Sequence, residues 1–96
     1  MKTYSTYMLL CSDGTYYVGV TNALERRVGE HQHGHDPKSY THRRRPLKLV
    51  WAESFTQVVD AISAEKQIKP WSKAKKRALI NGDLDLLPDL ARKRFE

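Results

Sequence analysis

Cysteine, glycine and proline are all scarce in this sequence. Its 96 residues contain one cysteine, five glycines and four prolines. A single thiol, Cys11, cannot form an internal disulfide or a thiolate-rich zinc site, so we expect it to be a small core residue. With 40% hydrophobic and 29% charged residues, the composition is that of a globular protein and argues against disorder.

Long hydrophobic runs are also missing. The longest apolar run near the start spans Met8 to Cys11, and only one basic residue precedes it. This pattern indicates neither a signal peptide nor a membrane span, so we expect a cytoplasmic protein with no membrane partner. The length predicts a single domain over residues 1–96, with a core at about 3–81 and a short helical or frayed tail over 83–96.

Acidic residues are outnumbered by basic ones. Seventeen Lys and Arg against eleven Asp and Glu give a net charge of +6. This balance favours a polyanionic partner, with nucleic acid ahead of an acidic membrane surface. The basic residues cluster at Arg43, Arg44 and Arg45 with Lys48, and again at Lys66, Lys69, Lys73, Lys75, Lys76 and Arg77. Both clusters are dense enough to bind phosphates, although much of the second also fits a solvated helix face.

A β-hairpin is predicted at the start of the chain. The segments Thr3–Cys11 and Thr15–Thr21 are rich in aromatic and branched residues and flank Ser12-Asp13-Gly14. A two-residue Asp-Gly turn would put Tyr7 and Tyr17 on opposite faces. A three-residue loop with Gly14 left-handed instead gathers Met8, Leu10, Tyr16, Val18 and Val20 on one apolar face. We therefore expect the three-residue loop, with Tyr7 opposite Gly19 and Leu9 opposite Tyr17.

The remainder predicts an α+β fold, a three-stranded antiparallel sheet flanked by about three helices. The first helix should start at Asn22, which with Glu25 forms a variant capping box, and end near His33 before Gly34. After a loop, a third strand is expected over Leu47–Ser54. A second helix should cover Thr56–Lys69, where Pro70 ends it, and a third should run from its cap Ser72 to about Asn81.

Three charged or titratable residues occupy helix positions where aliphatic side chains are expected. Arg27 and His31 share the stripe of Leu24 and Val28 on the first helix, whereas Glu25, Arg26 and Glu30 should point elsewhere. Glu65 falls inside the apolar arc of the second helix, with Val58, Ala61, Ile62 and Ile68. An unpaired buried carboxylate costs several kcal/mol, so Glu65 should face a metal, a cleft or a cation; a salt bridge to a lysine or to Arg27 explains it equally well.

Two tyrosines and a glycine complete the polar set. Tyr7 and Tyr17 should share a sheet face, where Gly19 would leave an open floor for a substrate, although cross-strand aromatic packing is the ordinary alternative. Together these side chains supply a base, a charge stabiliser and a ligand for a hard cation, a set suited to phosphodiester hydrolysis. A transition-metal site from His31, His33, His35 and His42 is disfavoured, because Gly34 breaks the helix between them.

Several short motifs follow one another along the chain: Tyr7, Tyr17-Val18-Gly19, Asn22 to His31 with Arg27, Tyr40-Thr41, Arg45-Pro46 and Glu65-Lys66-Gln67-Ile68-Lys69. Their order resembles the GIY-YIG endonuclease superfamily, in particular its small single-domain bacterial branch. The resemblance extends up to Leu79-Ile80. It departs from the family pattern at Ser5 and Thr6, which stand where the first motif has glycine and isoleucine.

The resemblance implies a role for each site residue. Tyr7, Tyr17, Arg27 and His31 would be catalytic, with Tyr7 the more favoured acceptor of a proton from the attacking water and Tyr17 orienting that water. Arg27 would neutralise charge on the phosphorane, and His31 would help relay the proton. Glu65 would bind one divalent cation, and the resemblance favours Mg²⁺. The substrate-binding residues would be Gly19, Tyr40, Arg43, Arg44, Arg45 and Lys69.

The function implied is that of a metal-dependent nuclease, with DNA favoured over RNA as the substrate and a structure-selective role in repair or recombination as a further expectation. Because family nucleases usually carry a second, substrate-selecting domain, a protein partner could supply specificity here. The alternative is a non-catalytic nucleic-acid-binding module on the same fold. The sequence leaves the oligomeric state open.

Overall fold

The computed structural model describes residues 2–83 of the chain. Its elements are strands β1 (Tyr4–Leu10), β2 (Tyr16–Thr21) and β3 (Lys48–Phe55), and helices α1 (Leu24–His33), α2 (Val58–Ile68) and α3 (Lys73–Asn81), with a short 3-10 turn at His42–Arg44. The strands are antiparallel in the order β2-β1-β3. The predicted α+β fold is confirmed, and β3 is displaced by one residue from its predicted bounds.

The hairpin has the predicted three-residue loop. The Cys11 N–H donates to the Thr15 carbonyl at 2.9 Å, and Gly14 takes the left-handed conformation with φ of 84°. Tyr7 pairs with Gly19 and Leu9 with Tyr17. Since side chains alternate along a strand, this register places Tyr7 and Tyr17 on one face and Met8 and Val18 on the other.

The two faces of the sheet support different layers. Met8, Val18 and Phe55 pack with Ala61, Ala64 and Ile68 of α2 and with Ala78 and Leu79 of α3. On the opposite face, Tyr7, Leu9, Cys11 and Leu47 form a second cluster, against which Tyr17, Leu24 and Val28 pack. Helices α2 and α3 therefore cover one face and α1 covers the other. Cys11 is the buried core residue that its sequence context predicts.

Helix ends follow the predictions at all three glycine and serine signals, whereas the predicted start of α1 fails. Gly34 and Gly82 adopt the left-handed C-cap conformation, and the Ser72 side chain accepts from the Lys75 N–H. The predicted capping box of Asn22 and Glu25 is wrong. Ala23 is the N-cap, and alanine has no side-chain acceptor with which to cap the helix; its own N–H donates to the Thr21 hydroxyl at 3.1 Å.

The predicted arc of α2 is also wrong in part. Ala61, Ala64 and Ile68 are buried, whereas Val58 and Ile62 remain 43% and 38% exposed. The small alanines let the helix approach the sheet closely, and the larger residues lie at the rim. Glu65 consequently lies beside the buried stripe and not at its centre.

The predicted tail over 83–96 lies, apart from Asp83, outside the described residues. Within residues 2–83, none of the helices combines the length and the apolar character that crossing a bilayer would require.

Candidate active site

The phenol of Tyr7 lies directly over Gly19 on the neighbouring strand. A Cβ added at Gly19 would come within 2.6 Å of the Tyr7 hydroxyl oxygen and 2.7 Å of its Cζ. Only glycine therefore leaves room for the ring, and Tyr7 is 1% exposed. The predicted open floor for a substrate at Gly19 is wrong, because the tyrosine of the same hairpin fills it.

His31 is buried between a phenol and a hydroxyl. Its Nε2 lies 2.9 Å from the Tyr7 hydroxyl, and its Nδ1 lies 2.8 Å from the Thr41 hydroxyl, which is itself 3.3 Å from that of Ser39. Two tautomers satisfy both bonds. In one of them, Nδ1–H donates to Thr41 and Nε2 accepts the Tyr7 proton. The result is a connected row of groups able to hold or pass a proton.

A cavity of about 60 Å³ opens in front of this row. It is lined by Tyr17, Arg27, Glu30, His31, His35, Asp36 and Ser39. The Arg27 guanidinium, whose side chain is 47% exposed, pairs with Glu30 at 3.3 Å. Glu30 thus shares the cavity with Arg27, contrary to the prediction that it points elsewhere. Tyr17 lies at ring-centroid distances of 6.3 Å from Tyr7 and 5.1 Å from His31.

Burial controls the protonation of the inner pair. Desolvation, followed by the neighbouring Tyr17, raises the pKa of Tyr7 to about 12, while Arg27 acts in the opposite direction. Desolvation and then the Arg27 charge lower the pKa of His31, which Glu30 partly offsets. At neutral pH the free protein therefore holds Tyr7 as a phenol and His31 as a neutral imidazole. Tyr7 does not line the cavity among residues 2–83, so both its position and its pKa oppose the predicted role of first proton acceptor.

Tyr40 and Arg44 fasten the long loop to the hairpin. The Arg44 Nε lies 2.9 Å from an Asp13 carboxylate oxygen, its NH1 donates to the Tyr40 carbonyl at 2.8 Å, and its Cζ stands 3.8 Å over the Tyr40 ring. Tyr40 also stacks with Tyr17 at a centroid distance of 6.1 Å. Arg44 and Tyr40 therefore hold each other and position the wall of the cavity.

The three consecutive arginines do not form one phosphate-binding cluster. Arg45 donates from Nε to the His42 carbonyl at 2.9 Å, and its guanidinium occupies the space beside Gly34, within 2.6 Å of a Cβ built there. Arg44 is engaged with Asp13. Arg43 is exposed, so its predicted contact with substrate stays a prediction.

Glu65 approaches from the other face of the sheet. It belongs to α2, which packs on the Met8 face, and its carboxylate pairs with Lys69 at 3.3 Å. Its side chain is 19% exposed, and among residues 2–83 it is not one of those lining the Tyr17–Arg27 cavity. Glu65 is therefore not part of the wall that Tyr17, Arg27 and His31 share, and its predicted role as metal ligand stays a prediction. Lys69 lines a separate cavity that also has Tyr17 in its wall.

Metal-binding clusters are absent from residues 2–83, where no three His, Cys, Asp or Glu side chains meet in a way that could hold an ion. His33 instead bonds the Gly29 carbonyl at 2.8 Å. A single carboxylate such as Glu65 still fits Mg²⁺, which is commonly bound by one or two carboxylates, with water and substrate phosphates as its other ligands.

Comparison with known proteins shows which family combines these features. The model of the GIY-YIG catalytic domain matches residues 3–78, which is most of the chain. The chain belongs to the GIY-YIG family. GIY-YIG domains form a nuclease superfamily, and the resemblance stated from the motifs is confirmed.

The GIY-YIG relatives of this chain include small proteins of similar length. A UPF0213 protein of Halobacterium salinarum is 46% identical over 74 residues, covering 77% of this chain and 95% of that protein. A UPF0213 protein of Staphylococcus saprophyticus is 37% identical over 81 residues, covering 84% and 98%.

Two solution NMR structures are also similar. The UPF0213 protein of Bacillus halodurans has a TM-score of 0.54 at 33% identity, covering 82% of this chain and 83% of that one. A protein from E. faecalis has a TM-score of 0.60 at 32% identity, covering 85% and 86%.

Within this GIY-YIG site, the structure brings together Tyr7, Tyr17, Arg27 and His31, as the sequence predicts. It also adds Thr41, which is fully buried and holds His31, and Glu30, which pairs with Arg27. Thr41 belongs to the Tyr40-Thr41 motif recognised in the sequence, but the loop around it has no periodic pattern, so its contact with His31 was not predicted. Asp13 forms an ion pair with Arg44, and the Ser12-Asp13-Gly14 turn motif does not predict that contact.

Proposed function

We propose that this protein is a divalent-metal-dependent endonuclease that hydrolyses phosphodiester bonds in DNA. The supporting observation is the cavity in which Tyr17, Arg27 and His31 meet in front of the Tyr7 phenol. Cleaving a phosphodiester requires a group that takes the proton of the attacking water and a cation beside the developing charge. This cavity offers both within a GIY-YIG domain.

The two tyrosines take roles that differ from those predicted. Tyr17 lines the cavity and is the phenol that can contact the attacking water. Tyr7 lies behind it, bonded to a neutral His31 that can accept a proton at Nε2. In the proposal, the Tyr17 hydroxyl takes the proton of the attacking water while its own proton passes through the Tyr7 hydroxyl to Nε2 of His31, which becomes an imidazolium. Thr41 keeps His31 in the required orientation.

Arg27 is the charge-stabilising group. Its guanidinium stands in the cavity and is half-exposed, so it can meet an incoming phosphate oxygen while it keeps contact with Glu30. A planar guanidinium binds phosphate through two parallel hydrogen bonds, and such bonds strengthen as negative charge builds up.

Glu65 is the residue that would hold the cation, in the proposal Mg²⁺. Lys69, the partner of Glu65, lines a cavity with Tyr17, and Tyr17 also lines the Arg27 cavity, so an ion held by Glu65 would supply Lewis-acid stabilisation to a phosphate bound beside Tyr17. Because Lys69 pairs with Glu65 in the free chain, the carboxylate must leave Lys69 before it can bind a cation. We therefore expect metal to bind more tightly when nucleic acid is present, since the substrate phosphates attract Lys69 and add ligands for the ion.

The biological setting follows from the same proposal. A structure-selective DNA nuclease of repair or recombination, working in the cytoplasm with a protein partner that adds specificity, suits a basic chain built on a GIY-YIG domain. We take residues 1–96 as one such domain.

A second candidate is a nucleic-acid-binding module that does not cut. Two observations favour it: in the free chain the predicted metal ligand Glu65 pairs with Lys69, and the predicted catalytic Tyr7 is buried, which raises its pKa to about 12. Such a protein would bind nucleic acid with the salt dependence of a basic surface and leave its backbone intact.

A cleavage panel separates the two candidates. Branched, nicked, duplex and single-stranded DNA, and matching RNA, are incubated with the protein in Mg²⁺ or in EDTA. We expect cleavage of DNA in Mg²⁺ that EDTA abolishes and that falls by about 100-fold or more in Arg27→Ala, Tyr17→Phe and Glu65→Gln. The matched control is Glu53→Gln, a carboxylate on β3 outside the cavity, which should cleave like the parent.

Intact DNA in every arm, with binding retained, would leave only the binding module. Residual activity that is equal in parent and Arg27→Ala would indicate a contaminating nuclease. A readout independent of activity is the NMR shift of the Glu65 amide on addition of Mg²⁺, which we expect to be larger when an uncleavable oligonucleotide is present.

A further inference from the structure

Two further cavities lie along the edge of β2, and one of them shares Tyr17 with the Tyr17–Arg27 cavity. Each has a volume of about 300 Å³, and both are lined by Tyr16, Tyr40 and Lys76. Lys69 completes the wall of one and Lys73 that of the other. We refer to the two together as the β2-edge groove. Neither the family match nor the relatives assign it a role.

The groove runs along the margin of the sheet. Among residues 2–83, β2 pairs with a strand on one side only, in the order β2-β1-β3, and its residues Tyr16, Tyr17 and Val18 line the groove. The consecutive residues Tyr16 and Tyr17 point to opposite faces, and both line the same cavity. Because Tyr17 also lines the cavity of Arg27, the groove leads from the hairpin turn into the candidate active site.

The wall opposite β2 is basic. Lys69, Lys73 and Lys76 come from the end of α2 and from α3, and the Lys73 ammonium reaches within 3.3 Å of a Cβ built on Gly14. Asp13 is the one acidic side chain among the described residues that line the groove. Its carboxylate is already bound by Arg44 at 2.9 Å and by the Thr15 hydroxyl at 2.7 Å. The groove therefore carries a net positive charge.

Aromatic rings line the side nearest the active site. Tyr16 and Tyr17 are half-buried, and Tyr40 is 43% exposed, with Arg44 over its ring and Tyr17 stacked with it. A basic wall opposite aromatic side chains is how proteins hold single-stranded nucleic acid, whose phosphates meet the lysines and whose bases contact the rings. The bases of an intact duplex are paired and stacked, so they cannot reach the tyrosines in this way.

We propose that the β2-edge groove binds a single nucleic-acid strand, with its phosphates on Lys69, Lys73 and Lys76, and guides that strand past Tyr17 to the cavity of Arg27. The ligand is thus a single-stranded flank of the substrate, and this inference rests on the proposed function. A peptide strand added to the edge of β2 is the competing occupant, but three lysines along the groove favour a polyanion over a peptide backbone.

The test is binding of a fluorescent single-stranded oligonucleotide of about 12 nucleotides, measured by anisotropy in EDTA so that nothing is cleaved. The groove variant is Lys73→Gln with Lys76→Gln. The matched control is Lys48→Gln with Lys66→Gln, which removes the same charge from exposed positions outside the groove. We expect Kd to rise about tenfold in the groove variant and less than about twofold in the control. The slope of log K against log salt should fall by about 1.4 in the groove variant alone, since each phosphate contact on a single strand adds about 0.7.

Equal losses in the two variants would show that overall charge governs binding and would overturn the proposal, as would a groove variant that binds like the parent. Backbone amide shifts provide a second readout that also verifies folding. With the oligonucleotide they should map to residues 14–18 and to the region of Lys69, Lys73 and Lys76. Shifts along the edge of β3 would overturn the proposal. It would also be overturned if a strand-forming peptide, added in place of the oligonucleotide, shifted the β2 amides and the oligonucleotide did not.

The groove and the nuclease activity can fail separately. If the parent cleaves DNA and the groove variant binds and cleaves equally well, the proposed role of the groove is rejected and the proposed nuclease function stands. If the parent does not cleave, and single-strand binding is lost in the groove variant but not in the control, the groove proposal stands and the nuclease function is rejected.

Discussion

At the scale of single residues, the site depends on a contact between one glycine and one phenol. Gly19 admits the ring of Tyr7, whose hydroxyl then reaches His31 at 2.9 Å. The same glycine belongs to the second family motif, and the steric reason is local: any Cβ there would overlap the phenol. The motif is therefore a packing requirement as well as a marker of the family.

This contact predicts a pair of contrasting glycine variants. Gly19→Ala should lower the free energy of unfolding by about 1–3 kcal/mol, because the Tyr7 ring must shift away from its buried position. Gly29→Ala is the matched control: a Cβ there meets nothing within 4 Å, and replacing a helical glycine stabilises by about 0.5–1 kcal/mol. Urea unfolding of both variants measures the difference. Equal effects of the two changes would contradict the assigned contact.

His31 gives a second prediction, on pH. Its pKa in the folded chain is lowered from the ordinary 6.5 by burial and by Arg27. Between the lowered value and 6.5, the unfolded chain binds a proton that the folded chain does not, so stability from this group falls as pH falls through 6.5. The His31→Gln variant lacks this pH-dependent part of the unfolding free energy. The unfolding free energies of parent and variant, measured by urea from about pH 7.5 to about pH 5, should therefore converge as pH falls. Parallel curves would contradict a neutral, buried His31.

At the scale of elements, helix starts show how a local signal can be overridden. Asn22 and Ser72 both stand where a helix cap is expected, but only Ser72 accepts a bond from the backbone, from the Lys75 N–H at 3.2 Å. At α1, the hydroxyl of Thr21 at the end of β2 takes the Ala23 N–H instead. The chain leaves the strand through a turn that starts the helix at Leu24, beyond the reach of an Asn22 cap.

The two candidate caps predict different costs. Ser72→Ala should destabilise the protein by about 1 kcal/mol, because the first turn of α3 loses its side-chain acceptor. Asn22→Ala should change stability by less than about 0.5 kcal/mol, as for a surface position without such a role. Thermal unfolding of the two variants under one buffer checks this. If Asn22→Ala lowered the stability as much as Ser72→Ala, Asn22 would have to cap α1 after all.

The long loop between α1 and β3 is an element positioned by tertiary contacts. Its Arg44 bridges to Asp13 in the hairpin turn and stacks on Tyr40, and its backbone carbonyl accepts from the Ser12 N–H at 2.8 Å. Thr41 in the same loop holds His31. The loop therefore forms one wall of the site, and Arg44 and Arg45, two of the three arginines expected to bind phosphate, are engaged in fixing its position.

At the scale of the whole molecule, the central strand β1 serves two cores. Leu9 and Tyr7 face the cluster beneath α1, while Met8 faces the cluster formed with α2 and α3. Because β1 contributes residues to both clusters, each helix layer has a core only when it packs against the sheet. The site residues Tyr7 and Tyr17 belong to the smaller cluster, so site geometry and stability are linked on that face.

The two cores predict an additive pair of substitutions. Leu9→Ala should cost about 2–5 kcal/mol and Ile68→Val about 0.5–1.5 kcal/mol, since both side chains are fully buried. They lie in different clusters on opposite faces, so the double variant should equal the sum within about 0.5 kcal/mol. Urea unfolding gives all three values. Only Leu9→Ala should also weaken cleavage, and a large coupling energy would show that the two layers are not independent.

Sequence patterns by themselves determined much of this protein: the hairpin with its left-handed Gly14, the glycine stops at Gly34 and Gly82, the cap at Ser72, the α+β class, the family, and the shared face of Tyr7 and Tyr17. All of these depend on period, turn chemistry or motif order, which act over a few residues and can be read along the chain.

Only the tertiary structure decided which groups meet across the sheet. It placed Tyr7 over Gly19, Thr41 on His31, Arg44 on Asp13, and Glu65 on the face opposite the phenols. It also formed the β2-edge groove from a strand edge and two helices. These contacts depend on how separate layers pack, and side-chain periodicity within one element carries no information about its neighbour across the sheet.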